Sequence, residues 1–367
     1  MGAKKVRQSN FEMLKIIAML LILAKHYAVF SNMIFPQDTV TVNEIFHLLI
    51  TGCIHFALNV FVLISGYFLT NATLEKNYIL KIIKIIGQVC FFSITLYALG
   101  CFMGCYTLSL RGLVEAVLPL TYRTWWFATA YFMLFILSPF LNMLFNKLPQ
   151  KMFIILLGKC TFFWSVVPTI FNKDFECNDL IYFIFLYGIA AYIKRFVEDS
   201  KIRKPLLAVA IIVILGLTYA SAILVEFMSL NNPGLLVHKY RLMGKYMLPN
   251  LLTSVCLFLL VKGWNFGEKK WVNTIASGGF GVYLITEHPF IREYLWTKWL
   301  PSNQYTTESF FIIYSIGVIL VVYCACTIID LVRQHTIEKL YMLIGNKVAN
   351  WGQNILNKFV SDSSESR

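Results

Sequence analysis

Apolar positions fall along the chain in ten runs, at 11–31, 45–69, 80–103, 125–145, 152–171, 179–196, 205–227, 246–262, 272–296 and 309–332. A helix needs roughly 20 mostly apolar residues to cross a bilayer, and each run is close to that length. Polar residues gather in the connections. The pattern predicts an all-α polytopic membrane protein of about ten transmembrane helices. Two further stretches are partly apolar. The connection 104–124 holds a piece from Leu113 to Leu120, ended by Pro119, which reads as a short re-entrant or interfacial helix. Beyond the last run, Ile337, Leu340, Tyr341, Ile344, Val348, Trp351, Ile355 and Phe359 recur at helical spacing, with Lys339, Lys347 and Lys358 elsewhere on the wheel. That is an amphipathic helix on the cytoplasmic interface. The Ser-rich 360–367 reads as a disordered tail. The expected organisation is one membrane domain over 1–335, followed by the amphipathic helix and tail over 336–367.

Composition agrees with this reading: 58% of residues are hydrophobic and 14% charged, too apolar for a domain that must cover itself with polar surface in water. The net charge of +13 does not point to nucleic acid, because Lys and Arg sit in short clusters between apolar runs. With a cytoplasmic N-terminus, alternate connections divide the basic residues 21 inside to eight outside, so the positive-inside rule places both termini in the cytoplasm and requires an even number of spans. Lys4, Lys5 and Arg7 open the inside set. No small-residue cleavage site follows the first run, which is read as a retained span of a multi-pass cell-membrane protein. The nine Cys match no zinc or haem spacing and read as small apolar packers; no metal is expected.

Against this background the ionisable residues inside runs stand out. A Lys near the centre of a membrane helix costs roughly 2.5 to 3.5 kcal/mol on insertion scales, so such groups usually face protein and mark function. The first run carries Glu12, Lys15, Lys25 and His26. Lys15 and His26, eleven positions apart, fall within roughly 20° of one helix face and about 16 Å apart along it. Lys25 lies about 100° from His26 and reads as an interfacial anchor. His26 is either a general base, since imidazole exchanges a proton near neutrality, or a buried His donating to a carbonyl. Lys15 reads alone as a snorkelling anchor or as the partner of Glu12. Ser65-Gly66 allows close approach of a ligand or of another helix. Lys81 and Lys84, one turn apart at the cytoplasmic surface, suit phosphate or lipid headgroups. Trp125 and Trp126 enter the fourth run and Ser138-Pro139 interrupts it. Tyr283-Leu284-Ile285-Thr286-Glu287-His288-Pro289 sets a carboxylate, an imidazole and a helix breaker within the ninth.

These features, in this order, resemble the integral-membrane acyltransferase type 3 family over nearly the whole chain, from about Phe11 to Arg333. Lys15 and His26 match the family's basic residue and the His eleven positions later. Phe61-Val62-x-x-Ser65-Gly66 matches its Phe-Phe-x-x-Ser-Gly step except at Val62. Lys81 and Lys84 match in charge a basic pair that is usually Arg, and Trp126-Phe127 and Ser138-Pro139 match its fourth span. Thr286 departs from it, standing where Tyr-Leu-x-His is common; on a continuous helix His288 lies about 200° away and does not replace the missing His.

The resemblance implies an acyl donor, generally acetyl-CoA, approached from the cytoplasm, and an acceptor hydroxyl on the far side. Lys15, Lys81 and Lys84 would then hold the donor's phosphates, with Ser65 and Gly66 allowing its approach. His26 would act on the acceptor, Glu287 would orient His26 or the acceptor, and Trp125, Trp126 and Tyr283 would bind the acceptor. Its partners are the bilayer, acyl-CoA, a polysaccharide or lipid-linked saccharide acceptor, and polysaccharide biosynthesis machinery. About 35 residues follow the last run, so the extracytoplasmic domain that some family members append is not expected. The alternatives are a proton-coupled transporter or flippase using His26, Glu287 and Lys25 as a relay, although no internal repeat is visible, and a non-catalytic relative of the family.

Overall fold

A computed structural model of the chain describes residues 8–365; Lys4, Lys5 and Arg7 of the charge argument, and the last two tail positions, lie outside the described residues. Within them the chain is helical without strands, in the order α1 (Ser9–Phe30), α2 (Val42–Gly52), α3 (Ile54–Leu69), α4 (Lys76–Phe102), α5 (Leu110–Val117), α6 (Trp126–Lys147), α7 (Gln150–Thr161), α8 (Val167–Phe171), α9 (Asp179–Phe196), α10 (Lys204–Ser229), α11 (Leu248–Lys262), α12 (Lys270–Ser277), α13 (Gly279–Thr286), α14 (Pro289–Tyr294), α15 (Phe311–His335) and α16 (Ile337–Glu365). Eight of the described helical segments are long and apolar enough to cross a membrane. The other two expected runs correspond to α9 and to the broken segment α12–α14.

α1 is central: it packs against α2, α3, α11, α12, α13 and α15. Its first turn is pinned by polar contacts. Asn10 donates to the carbonyls of Val261 (2.9 Å) and Trp264 (3.0 Å), and Ser9 donates to Asn273 Oδ1 at 2.9 Å. The Asn10 bonds tie the start of α1 to the C-terminal end of α11, and the Ser9 bond ties it to α12.

Proline and small residues locate the breaks. Pro139 removes the bond that Phe135 C=O would receive within α6, and the Tyr78 hydroxyl, from α4, contacts that oxygen and the one of Ile136 at 3.0 Å each. Ser138 Oγ donates to the same Phe135 oxygen at 2.7 Å. The fifth run passes through a π-turn at Phe162–Val166 just before Pro168, the loosened turn that a missing donor produces. The second run is two helices meeting at Cys53.

The ninth run departs most from expectation. Pro289 begins a new helix, and a residue before proline avoids the helical region; His288 is extended, at φ −61°, ψ 131°. Glu287 and His288 therefore lie in a junction between α13 and α14, and the wheel angle computed for His288 on a continuous helix does not apply.

The expected short helix of the 104–124 connection lies slightly earlier than predicted, as α5. Ser109 caps it, its Oγ accepting from Gly112 N at 3.1 Å, and Leu110, Leu113 and Val117 remain exposed. α16 runs to Glu365, past Val360 where the disordered tail was expected to begin. Its Tyr341 and Gly345 pack on Gly87 and Ile83 of α4, while Leu340, Leu343, Ile344, Val348 and Trp351 stay exposed.

Candidate active site

His26 lies one turn from the end of α1 and Glu287 in the α13–α14 junction. The two are 7% and 8% exposed, and His26 Nε2 is 3.3 Å from Glu287 Oε1. The separation is that of an ion pair, and Glu287 Oε1 is buried without a hydrogen-bond partner. His26 Nδ1, the other ring nitrogen, also has no partner. The second carboxylate oxygen of Glu287 faces Arg292 Nη1 at 4.0 Å, and the guanidinium lies over the Phe30 ring, 4.8 Å from its centroid. Lys25 is the other cation whose charge reaches Glu287, so it belongs to the electrostatics of this site and is more than the anchor its wheel position suggested.

The position where the family places a His contributes nothing directly. Thr286 is 1% exposed and donates to Val282 O of its own helix at 2.9 Å. Glu287, the next residue, makes the contact to His26. The break at Pro289 also turns His288 elsewhere: it is buried, its Nδ1 has no partner, and its ring lies 5.5 Å from that of Trp125.

Of the three residues expected at the acceptor, two border this centre. Tyr283 stands 6.4 Å from the His26 ring and 5.5 Å from Phe127, ring to ring, and Trp125 reaches it through His288. Trp126 faces away, towards Phe183 and beneath the Lys245 ammonium, 4.0 Å from its ring centroid. Lys245 is held there by Asp179, which also pairs with Arg123 at 3.5 Å.

The residues expected to meet the donor are dispersed. Lys15 pairs with Glu12 at 3.0 Å. Lys84 pairs with Glu338 of α16 at 2.6 Å, and Glu338 also receives Arg333 at 3.0 Å. Arg333 is in turn bonded to Asp330 at 2.7 Å, and Asp330 accepts from Gln88 at 3.1 Å. This buried network joins α4, α15 and α16, and nothing local in the sequence marked Gln88, Asp330 or Arg333 as its members. Lys81 is exposed on α4. Ser65 is beside Tyr131. Gly66 is filled by protein: a Cβ there would meet Tyr187 Cδ2 at 3.1 Å and Ala190 Cβ at 3.2 Å on α9, so this glycine serves a helix crossing. No cluster among the described residues could hold a metal ion.

A family model described as an acyltransferase domain matches residues 8–330. No curated protein and no solved structure matches the chain.

Proposed function

The chain belongs to the acyltransferase type 3 family, and from this we propose that it transfers an acetyl group from acetyl-CoA to a hydroxyl of a cell-surface polysaccharide or of its lipid-linked precursor. The broader statement, that it is a membrane acyltransferase, follows from the family match and the apolar helices. The finer reading is supported above all by the contact of His26 Nε2 with Glu287 Oε1 at 3.3 Å in a buried setting.

In this reading the Glu287 carboxylate, facing Nε2 of His26 at 3.3 Å, keeps the proton on that nitrogen by its charge and leaves Nδ1, which has no hydrogen-bond partner, as the basic atom. His26 takes the proton of the acceptor hydroxyl as its oxygen attacks the thioester carbonyl. When the tetrahedral intermediate collapses, the carbon–sulfur bond breaks, and the imidazolium returns the proton to the departing thiolate. Glu287 stabilises the imidazolium that forms between these steps. Tyr283 and Trp125 border the acceptor side.

Lys15, Lys81 and Lys84 are assigned to the donor's phosphates, on the face that positive charge marks as cytoplasmic. For Lys15 and Lys84 this requires exchanging a carboxylate partner for a phosphate. Ser65 is kept as a donor-side contact, whereas Gly66 acts by letting α3 approach α9. With the family established, no observation favours the transporter alternative. Membranes containing the protein, incubated with acetyl-CoA labelled in its acetyl group, should place label in surface glycan. Binding of acetyl-CoA without transfer of label to any acceptor would leave the non-catalytic alternative in its place.

A further inference from the structure

His288, the residue after Glu287, lines a cavity of about 370 Å³ between α4, α5 and the α13–α14 junction. Its volume is within the range of roughly 300 to 1,000 Å³ usual for small-molecule sites. We infer that this cavity is the acceptor site and that it takes a neutral saccharide, a conclusion that rests on the acyltransferase reading above.

Four observations carry it. His288 lines the cavity, is 5% exposed and has no partner for Nδ1; a buried nitrogen with no partner is a cost that a ligand hydroxyl removes. The wall is rich in hydroxyls, with Ser93, itself 2% exposed, Thr107 and Thr124 among its residues. Such groups both donate and accept, as the hydroxyls of a sugar do. Two tyrosines, Tyr97 and Tyr106, stack 6.0 Å apart at 26° and offer the flat apolar surface that a sugar ring covers. The only formal charges on the wall, Arg111 and Glu115, are paired at 2.8 Å, so the cavity has no surplus charge to select an anion or a cation.

Position supplies the link to chemistry. His288 follows Glu287 directly, and the break before Pro289 sends one side chain to His26 and the other to the cavity wall. A sugar bound against His288 would lie one residue along the chain from Glu287, the carboxylate that faces His26. His288 is in this assignment an acceptor-binding residue.

The test uses full-length protein in a polyoxyethylene detergent, free of sugar headgroups, with no acyl donor present. Binding of tritiated methyl glycosides of glucose, galactose, mannose and N-acetylglucosamine is measured by equilibrium dialysis. At least one glycoside is expected to bind, with affinity falling tenfold or more in both His288→Leu and Ser93→Val. Trp299→Ala, in the turn that follows α14 and outside the cavity wall, should bind as the wild type does. His288→Gln, which keeps a polar side chain, stands in should His288→Leu fail to remain monodisperse. Wild-type protein that binds none of the glycosides, or monodisperse variants that bind with unchanged affinity, would overturn the assignment. Acetyl transfer is assayed separately: binding without transfer upholds the cavity and counts against the acyltransferase reading, while transfer with unaffected binding in the variants counts against the cavity alone.

Discussion

His26 and Glu287 are brought to 3.3 Å by a helix that stops. Were α13 to continue through residue 289, Glu287 and His288 would project about 100° apart from one rod. Pro289 instead ends the helix, and non-helical backbone at membrane depth persists where it is packed in protein or lines a cavity, as His288 and Pro289 do here. The junction is the element that turns a membrane span into a site.

Pro289→Ala, which restores a backbone donor and removes the constraint on His288, should let α13 and α14 join. The expected result is a folded protein, monodisperse in detergent, whose transfer rate is at least tenfold lower. Rates indistinguishable from wild type in such a preparation would show that the break does not position the site.

Glu287→Gln keeps the shape and a hydrogen-bonding oxygen and removes the charge. Loss of imidazolium stabilisation should lower kcat by one to two orders of magnitude with little change in KM for the acceptor, as expected of an interaction made mainly in the transition state. An equal rise in KM with unchanged kcat would instead assign Glu287 to ground-state binding.

Lys84 and Glu338 can be separated by their opposite effects on the donor. If Lys84 meets phosphate, Lys84→Met should raise KM for acetyl-CoA several-fold, and Glu338→Gln, which frees the ammonium from its carboxylate, should lower it or leave it unchanged. If both substitutions lower thermal stability and neither moves KM, the pair serves only to dock α16 on α4.

Tyr78→Phe removes the only hydroxyl from α4 that reaches the Phe135 and Ile136 carbonyls. A buried acceptor that loses its donor costs about 1 to 3 kcal/mol, although Ser138 still serves Phe135. Thermal unfolding in detergent should shift down by a few degrees, with transfer at low temperature retained. An unchanged midpoint would mean that these carbonyls find other donors.

Much of the architecture could be read from residue pattern alone, because length and hydropathy suffice to mark a span and 3.6-residue spacing suffices to mark α16. The candidate pair His26 and Glu287 was also legible, since ionisable groups within apolar runs are costly enough to be conspicuous. Their contact was expected only as one of two roles for Glu287, the other being a contact to the acceptor, and its geometry was not legible. It depends on where a helix breaks, and a wheel drawn through Pro289 gives His288 the wrong direction. Lys84 shows the same limit from another side: its carboxylate partner lies on the far end of the chain, in α16, and a long-range pair leaves no local trace. Gly66 illustrates a genuine ambiguity of small residues, which admit a ligand or a helix equally well in sequence and here admit α9.

The central claim is that His26 performs the proton transfer in acyl transfer. It is tested most directly by purified wild-type and His26→Ala proteins supplied with labelled acetyl-CoA and a saccharide acceptor. Removal of a general base lowers rates by about 10²- to 10⁴-fold, so label should pass to the acceptor with the wild type and fall by at least a hundredfold with the variant, while acetyl-CoA binding is preserved. Transfer by His26→Ala at the wild-type rate would contradict the account.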